Sequence, residues 1–103
     1  MLISKKYDEG DIIAFKIVNG DEIVAKIVSE DADKFTVDKP CTVIPSPQGI
    51  GLMQALITSD QKHSISISKQ HIIMHSPVVD QMQSHYIQTT TGIQPITKGG
   101  IIT

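Results

Sequence analysis

The chain has 103 residues and a hydrophobic content of 40%, enough for one domain with one core and too apolar for a disordered chain. Its net charge is −2 and its nine basic residues are all lysines, so there is no bulk attraction to nucleic acid and no arginine for base readout; sequence-specific DNA reading is not expected. The single cysteine, Cys41, excludes an internal disulfide, and no apolar run approaches the ~20 residues of a membrane span.

Residues 1–10, MLISKKYDEG, have no period and read as an irregular lead-in. Asp11 to Val18 alternates, with Ile13, Phe15 and Ile17 on one face and Ile12, Ala14, Lys16 and Val18 on the other, so it predicts a strand. Asn19-Gly20 tolerates the positive φ angles of a tight hairpin turn. Glu22 to Ser29 then returns antiparallel, with Ile23, Ala25 and Ile27 on one face and Val24, Lys26 and Val28 on the other.

Residues 30–34, EDADK, form a polar turn. Phe35 to Val37 is a short strand that Lys39-Pro40 ends or confines to an edge. CTVI (41–44) follows, and PSPQG (45–49) reads as a loop outside any sheet. The segment 50–58 is apolar on both faces, with Ile50, Leu52 and Leu56 against Met53, Ala55 and Ile57. SISIS (64–68) alternates, Lys69-Gln70 interrupts, and HIIMH (71–75) completes the last strand.

Ser76-Pro77 marks a helix start, with Ser as N-cap and Pro at the first helical position. Val78, Val79, Met82, Tyr86 and Ile87 recur at helical spacing, and Gly92 is placed to cap the end. The expected organisation is a mainly β fold. A small five-stranded bent-sheet barrel occupies residues 11–75, a C-terminal helix 76–91 and a loose tail 92–103.

Segment 50–58 needs a cover on each face, and the helix supplies only one. Open strand edges also invite pairing with another chain, and head-to-tail pairing between identical copies closes into a ring. A homo-oligomeric ring is therefore expected.

The hairpin residues Val18-Asn19-Gly20, Ile23, Ala25, Ile27, Ser29, Asp31 or Asp33, Phe35 and Val37 resemble the first motif of the Sm-like (LSm) proteins, including the bacterial Hfq type. The match covers about a fifth of the chain, and the later strand order follows the same plan. The chain is most similar to the small Sm-like proteins of tailed marine phages, the cyanophage type. Those carry a segment like ISISKQHIIMHSPV followed by a helix like VVDQMQSHYIQTTTGI.

The resemblance implies an SH3-type barrel, a ring of five to seven copies, and single-stranded RNA as ligand. Where the family usually has Gly in its second strand this chain has Ala25, which implies a gentler bend or a nearby bulge. The family's uracil-gripping Asn is replaced by Thr36, and its Arg-Gly or Lys-His pair by Lys69-Gln70-His71. Lys69 would meet a phosphate or base oxygen, His71 would stack or hydrogen-bond beside Gln70, Phe35 would stack a base, and Thr36 would bond a base edge.

His71 and His75 on one continuous strand would lie about 13 Å apart, too far to share a metal ion. His63 is expected in a turn and His85 on the helix's polar side. The acid pairs Asp8-Glu9, Asp21-Glu22 and Glu30-Asp31 lie in turns, and no nucleophile has a base beside it, so neither catalysis nor a cofactor is expected. The expected function is an RNA-binding or RNA-chaperone ring in a cytoplasm, the host's if the chain is phage-encoded. The rival is a structural or protein-interaction ring without nucleic acid, favoured by the acidic hairpin and the missing arginine.

Overall fold

The computed structural model describes residues 7–91. Six strands stand where five are expected: β1 (Ile12–Ile17), β2 (Glu22–Glu30), β3 (Lys34–Ser46), β4 (Gly49–Gln54), β5 (Ile65–Ser68) and β6 (Ile72–Pro77). A single 3₁₀ turn, Lys69–His71, separates β5 from β6, and helix α1 (Asp80–Thr91) ends the described chain. The protein is mainly β, with one antiparallel sheet and a C-terminal helix. The expected tail and the Gly92 cap lie outside the described residues.

The sheet runs β4-β3-β2-β1-β6, and β5 also pairs with β3. That connectivity forces curvature. In a flat sheet β5 and β6 would lie four strand spacings apart, roughly 19 Å. The three residues joining them span at most ~14 Å from Ser68 to Ile72, and less in a 3₁₀ turn. The sheet therefore curls until its ends approach, and backbone bonds from Val18 N–H to the His71 carbonyl (2.9 Å) and from Lys69 N–H to the Asp33 carbonyl (2.8 Å) hold the turn across the gap.

The hairpin between β1 and β2 differs from a two-residue turn. Ile17 and Asp21 close it, Gly20 N–H bonds to the Ile17 carbonyl, and only Gly20 takes a positive φ, +95°. This is a three-residue loop with its left-handed residue at Gly20. The Asn19 side chain instead accepts from Asp21 N–H at 2.9 Å.

Lys39-Pro40 does not end the third strand. β3 passes through both residues because they bulge together opposite Ala25: the register moves from Val24↔Cys41 to Lys26↔Asp38. Lys39 adopts φ +48°, the one non-glycine residue with positive φ among those described. The extra residue bends the strand where β2 carries Ala25. On one side of this bend β3 pairs β5 through residues 34–37; on the other it pairs β4 through residues 41–46. Pro45 is not in a loop either but opposite Ile50, past the last β2 partner, Thr42, so its missing N–H interrupts no ladder there. β4 stops at Gln54, and residues 55–64 form the connection that the sequence pattern assigned partly to a longer strand.

Ser76 and Pro77 are strand residues opposite Ala14 and Ile13, not a helix cap. α1 begins at Asp80, leaving Val78 and Val79 as its link. The two faces of the sheet form separate clusters. Ile13, Phe15, Ile23, Ala25, Ile27, Phe35 and Val37 fill the concave interior. Ile12, Val24 and Cys41 lie on the convex face beneath Tyr86, with Met82, Leu52 and Val78 around them. These are the alternating sets read from the sequence.

Candidate functional site

The candidate residues divide between the turn at 69–71 and the start of β3. Ser68 caps the turn, its hydroxyl accepting from Gln70 N–H at 3.3 Å. Gln70 and His71 are exposed. Because His71 lies in this turn and His75 in β6, the two histidines do not share one continuous strand.

Lys69 turns inward. Its Nζ lies 2.8 Å from Oε2 of Glu30, whose side chain is 5% exposed, and 4.9 Å from the centre of the Phe35 ring. The pair joins the end of β2 to the turn after β5. Desolvation offsets much of the Coulomb attraction in such a place, so the contact fixes geometry more than it adds stability. An ammonium held this way is not a free charge for phosphate.

Phe35 is 1% exposed and belongs to the interior, packed against Phe15 with ring centres 5.1 Å apart. It presents no face for a base. Thr36 is half-buried in β3 between Ser29 of β2 and Ser66 of β5. The structure therefore brings Lys69 to Phe35, leaves Gln70 and His71 outside on the same turn, and keeps Thr36 within the sheet.

Three residues around this cluster carried no local signal. Glu30 is Lys69's partner 39 residues away. His75 meets Phe35 edge-on at 5.4 Å, and the Tyr7 hydroxyl lies 2.6 Å from its Nδ1. Burial, and after it the Glu30 and Asp11 carboxylates, push the Tyr7 phenol above its ordinary pKa. Only strand register brings these residues together, and register over such separations is not readable from spacing.

The rim beside the turn is acidic. The exposed Asp31 carboxylate accepts from the backbone N–H of Asp33 (2.8 Å) and Lys34 (3.0 Å), and these bonds hold it below its ordinary pKa. Asp33 follows at the same corner, with Lys34 as the nearby exposed cation.

Among the described residues no three His, Cys, Asp or Glu side chains gather as a metal site, and no helix is long and apolar enough to cross a membrane. His63 sits in a turn, 3.6 Å from Asp60. His85 does not simply face solvent: its Nε2 lies 3.1 Å from the Ile50 carbonyl oxygen. No protein-family model matches the chain, and no curated protein matches it.

Proposed function

We propose that the chain is an Sm-like, SH3-type barrel whose copies form a ring and hold single-stranded RNA at the exposed turn Gln70–His71. The observation that carries this reading is the junction of two turns. The β2–β3 turn and the β5–β6 turn meet through the Lys69–Asp33 backbone bond and the Lys69–Glu30 pair. In the Sm-like family these two turns supply the RNA contacts. The short 3₁₀ link that closes the curled sheet agrees with the same plan.

In this reading Lys69 is a positioning residue. It holds the turn so that Gln70 and His71 project, Gln70 offering amide donors and acceptors and His71 a ring for stacking or hydrogen bonding. One such turn binds weakly. Repetition around a ring turns each further contact into an intramolecular event, and the affinities compound through effective concentration.

The test is fluorescence anisotropy of short U-rich and A-rich RNAs at low and moderate salt. Binding that weakens with salt is expected. Gln70→Ala and His71→Ala should each weaken it at least fivefold, since ~1 kcal/mol is lost at every copy that holds the RNA. Absence of binding at low salt would refute the RNA reading. The second reading, a ring that binds protein only, is favoured by the exposed acidic corner at Asp31 and Asp33.

A further inference from the structure

Asn19 is the only asparagine in the chain, and a glycine follows it. A backbone nitrogen that follows asparagine is placed to attack the side-chain amide carbon, and glycine has no Cβ to obstruct the attack. At this hairpin tip Val18, Asn19, Gly20 and Asp21 are all exposed. No atom lies within 4 Å of the position that a Cβ on Gly20 would take. Water therefore reaches the pair, and no neighbouring side chain shields it.

Hydrogen bonds hold the two reacting groups apart instead. The Gly20 N–H donates to the Ile17 carbonyl at 2.8 Å, so the nitrogen must break that bond before it can lose its proton. The Asn19 amide is tethered at both ends. Its oxygen accepts from Asp21 N–H at 2.9 Å, and its nitrogen donates to Asp21 Oδ2 at 3.2 Å. Lys16 Nζ adds a bond to the Gly20 carbonyl at 3.3 Å.

We propose that Asn19 is a deamidation site that the closed hairpin tip keeps from reacting. When the tip opens, the Gly20 nitrogen gives its proton to solvent and bonds to Cγ of Asn19. The bond from Cγ to the amide nitrogen breaks, and that nitrogen takes up a proton and leaves as ammonia. The product is a five-membered succinimide. One water then opens the ring. Attack at the side-chain carbonyl leaves aspartate at position 19, and attack at the main-chain carbonyl leaves isoaspartate. Water is the only co-reactant, and nothing is oxidised or reduced.

Either product puts a new carboxylate beside Asp21 and Glu22. Isoaspartate also routes the main chain through its own Cβ and Cγ, which adds one backbone atom to a three-residue loop. The longer loop pulls on the bonds at its foot, from Ile17 N–H to the Asp21 carbonyl (3.0 Å) and from Val18 N–H to the His71 carbonyl (2.9 Å). The second of these ties the hairpin to the turn between β5 and β6, so damage at the tip reaches that turn as well. The inference stands whether or not the chain binds RNA.

The experiment incubates the full chain at neutral pH, in buffer and in guanidinium chloride, and then digests it with trypsin. Mass spectrometry follows residues 17–26, the peptide between Lys16 and Lys26, as its amide becomes a carboxylate. Aspartate and isoaspartate should both form. Conversion should be at least about tenfold slower in buffer, because the tip must break several bonds to open. Asp21→Ala removes the side-chain tether on the Asn19 amide. Its ratio of denatured to native rates should fall about fivefold below the parent's, with circular dichroism unchanged. No conversion in denaturant, equal rates in the two solvents, or an Asp21→Ala ratio equal to the parent's would overturn the proposal. If Asp21→Ala fails to fold, the two rates of the parent chain still decide.

Discussion

The two faces of the sheet are stabilised in different ways. The concave face is closed by the sheet itself: Ile13, Phe15, Ile23, Ala25, Ile27, Phe35 and Val37 come from three strands adjacent in the pairing order. The convex face is closed by one helix of twelve residues, in which Tyr86 is the buried side chain. That phenol donates toward the carbonyls of Asp38 (2.8 Å) and Lys39 (2.9 Å), at the bulge where β3 bends. Lys39 answers with a bond from Nζ to the Thr90 carbonyl at 3.1 Å, near the helix C-terminus. The interior thus rests on many apolar contacts, whereas the helix hangs on one aromatic anchor and on the polar contacts of Tyr86, Lys39 and His85. A fold of this kind should lose its helix before its sheet.

The contrast breaks most sharply at the centre. Phe35→Ala should cost about 3–5 kcal/mol, a large share of a small domain's stability, and urea unfolding should show loss of the whole sheet. A variant within 1 kcal/mol of the parent would mean that the concave cluster does not hold the fold.

Tyr86→Phe probes the other face. It keeps the ring but leaves two carbonyls without the hydroxyl, a cost of about 1–2 kcal/mol that should show first as lost helical signal. The same residue gives a pH test. Burial, and after it the neighbouring Cys41, raise the Tyr86 pKa in the folded chain. Unfolded tyrosine ionises near 10 while the folded one keeps its proton, so the stabilisation is complete below about pH 10 and declines as pH rises further. The Cys41 thiol, also raised by burial, adds a decline beginning near pH 9. Melting temperature should therefore fall less steeply between pH 9 and 11 in Tyr86→Phe than in the parent. Equal slopes would remove the phenol from the account.

Lys39→Met is the smallest of these changes. It removes a cation from the helix C-terminal carbonyls and should cost about 0.5–1 kcal/mol, readable as a small drop in melting temperature that high salt diminishes. A drop as large as that of Phe35→Ala would place the bend at Lys39, not the interior, at the centre of stability.

Local pattern made much of this legible. Alternation in 11–18 and 22–29 separated the concave set from the convex set, and Asn19-Gly20 located the hairpin. Proline misled three times for one reason. Pro40, Pro45 and Pro77 lie respectively at a bulge, beyond the last β2 partner and at the end of an edge strand, where a missing N–H breaks no ladder. Such vacancies depend on neighbouring strands, which the sequence does not display. The candidate site was legible as an interruption at Lys69-Gln70. Which of its residues face inward was not, because the partner that draws Lys69 inward lies on another strand.

The bend in β3 has a consequence for how freely the chain can vary. On its edge away from β2 the one strand serves two neighbours, and residues 55–64 carry the backbone from the end of β4 to the start of β5. Doubling the length of such a connection costs only about 0.6 kcal/mol in closure entropy. The exposed stretch from Asp60 to Ser64 is thus a natural splice point, where an epitope or a fluorophore-bearing peptide can be carried without changing any strand's register.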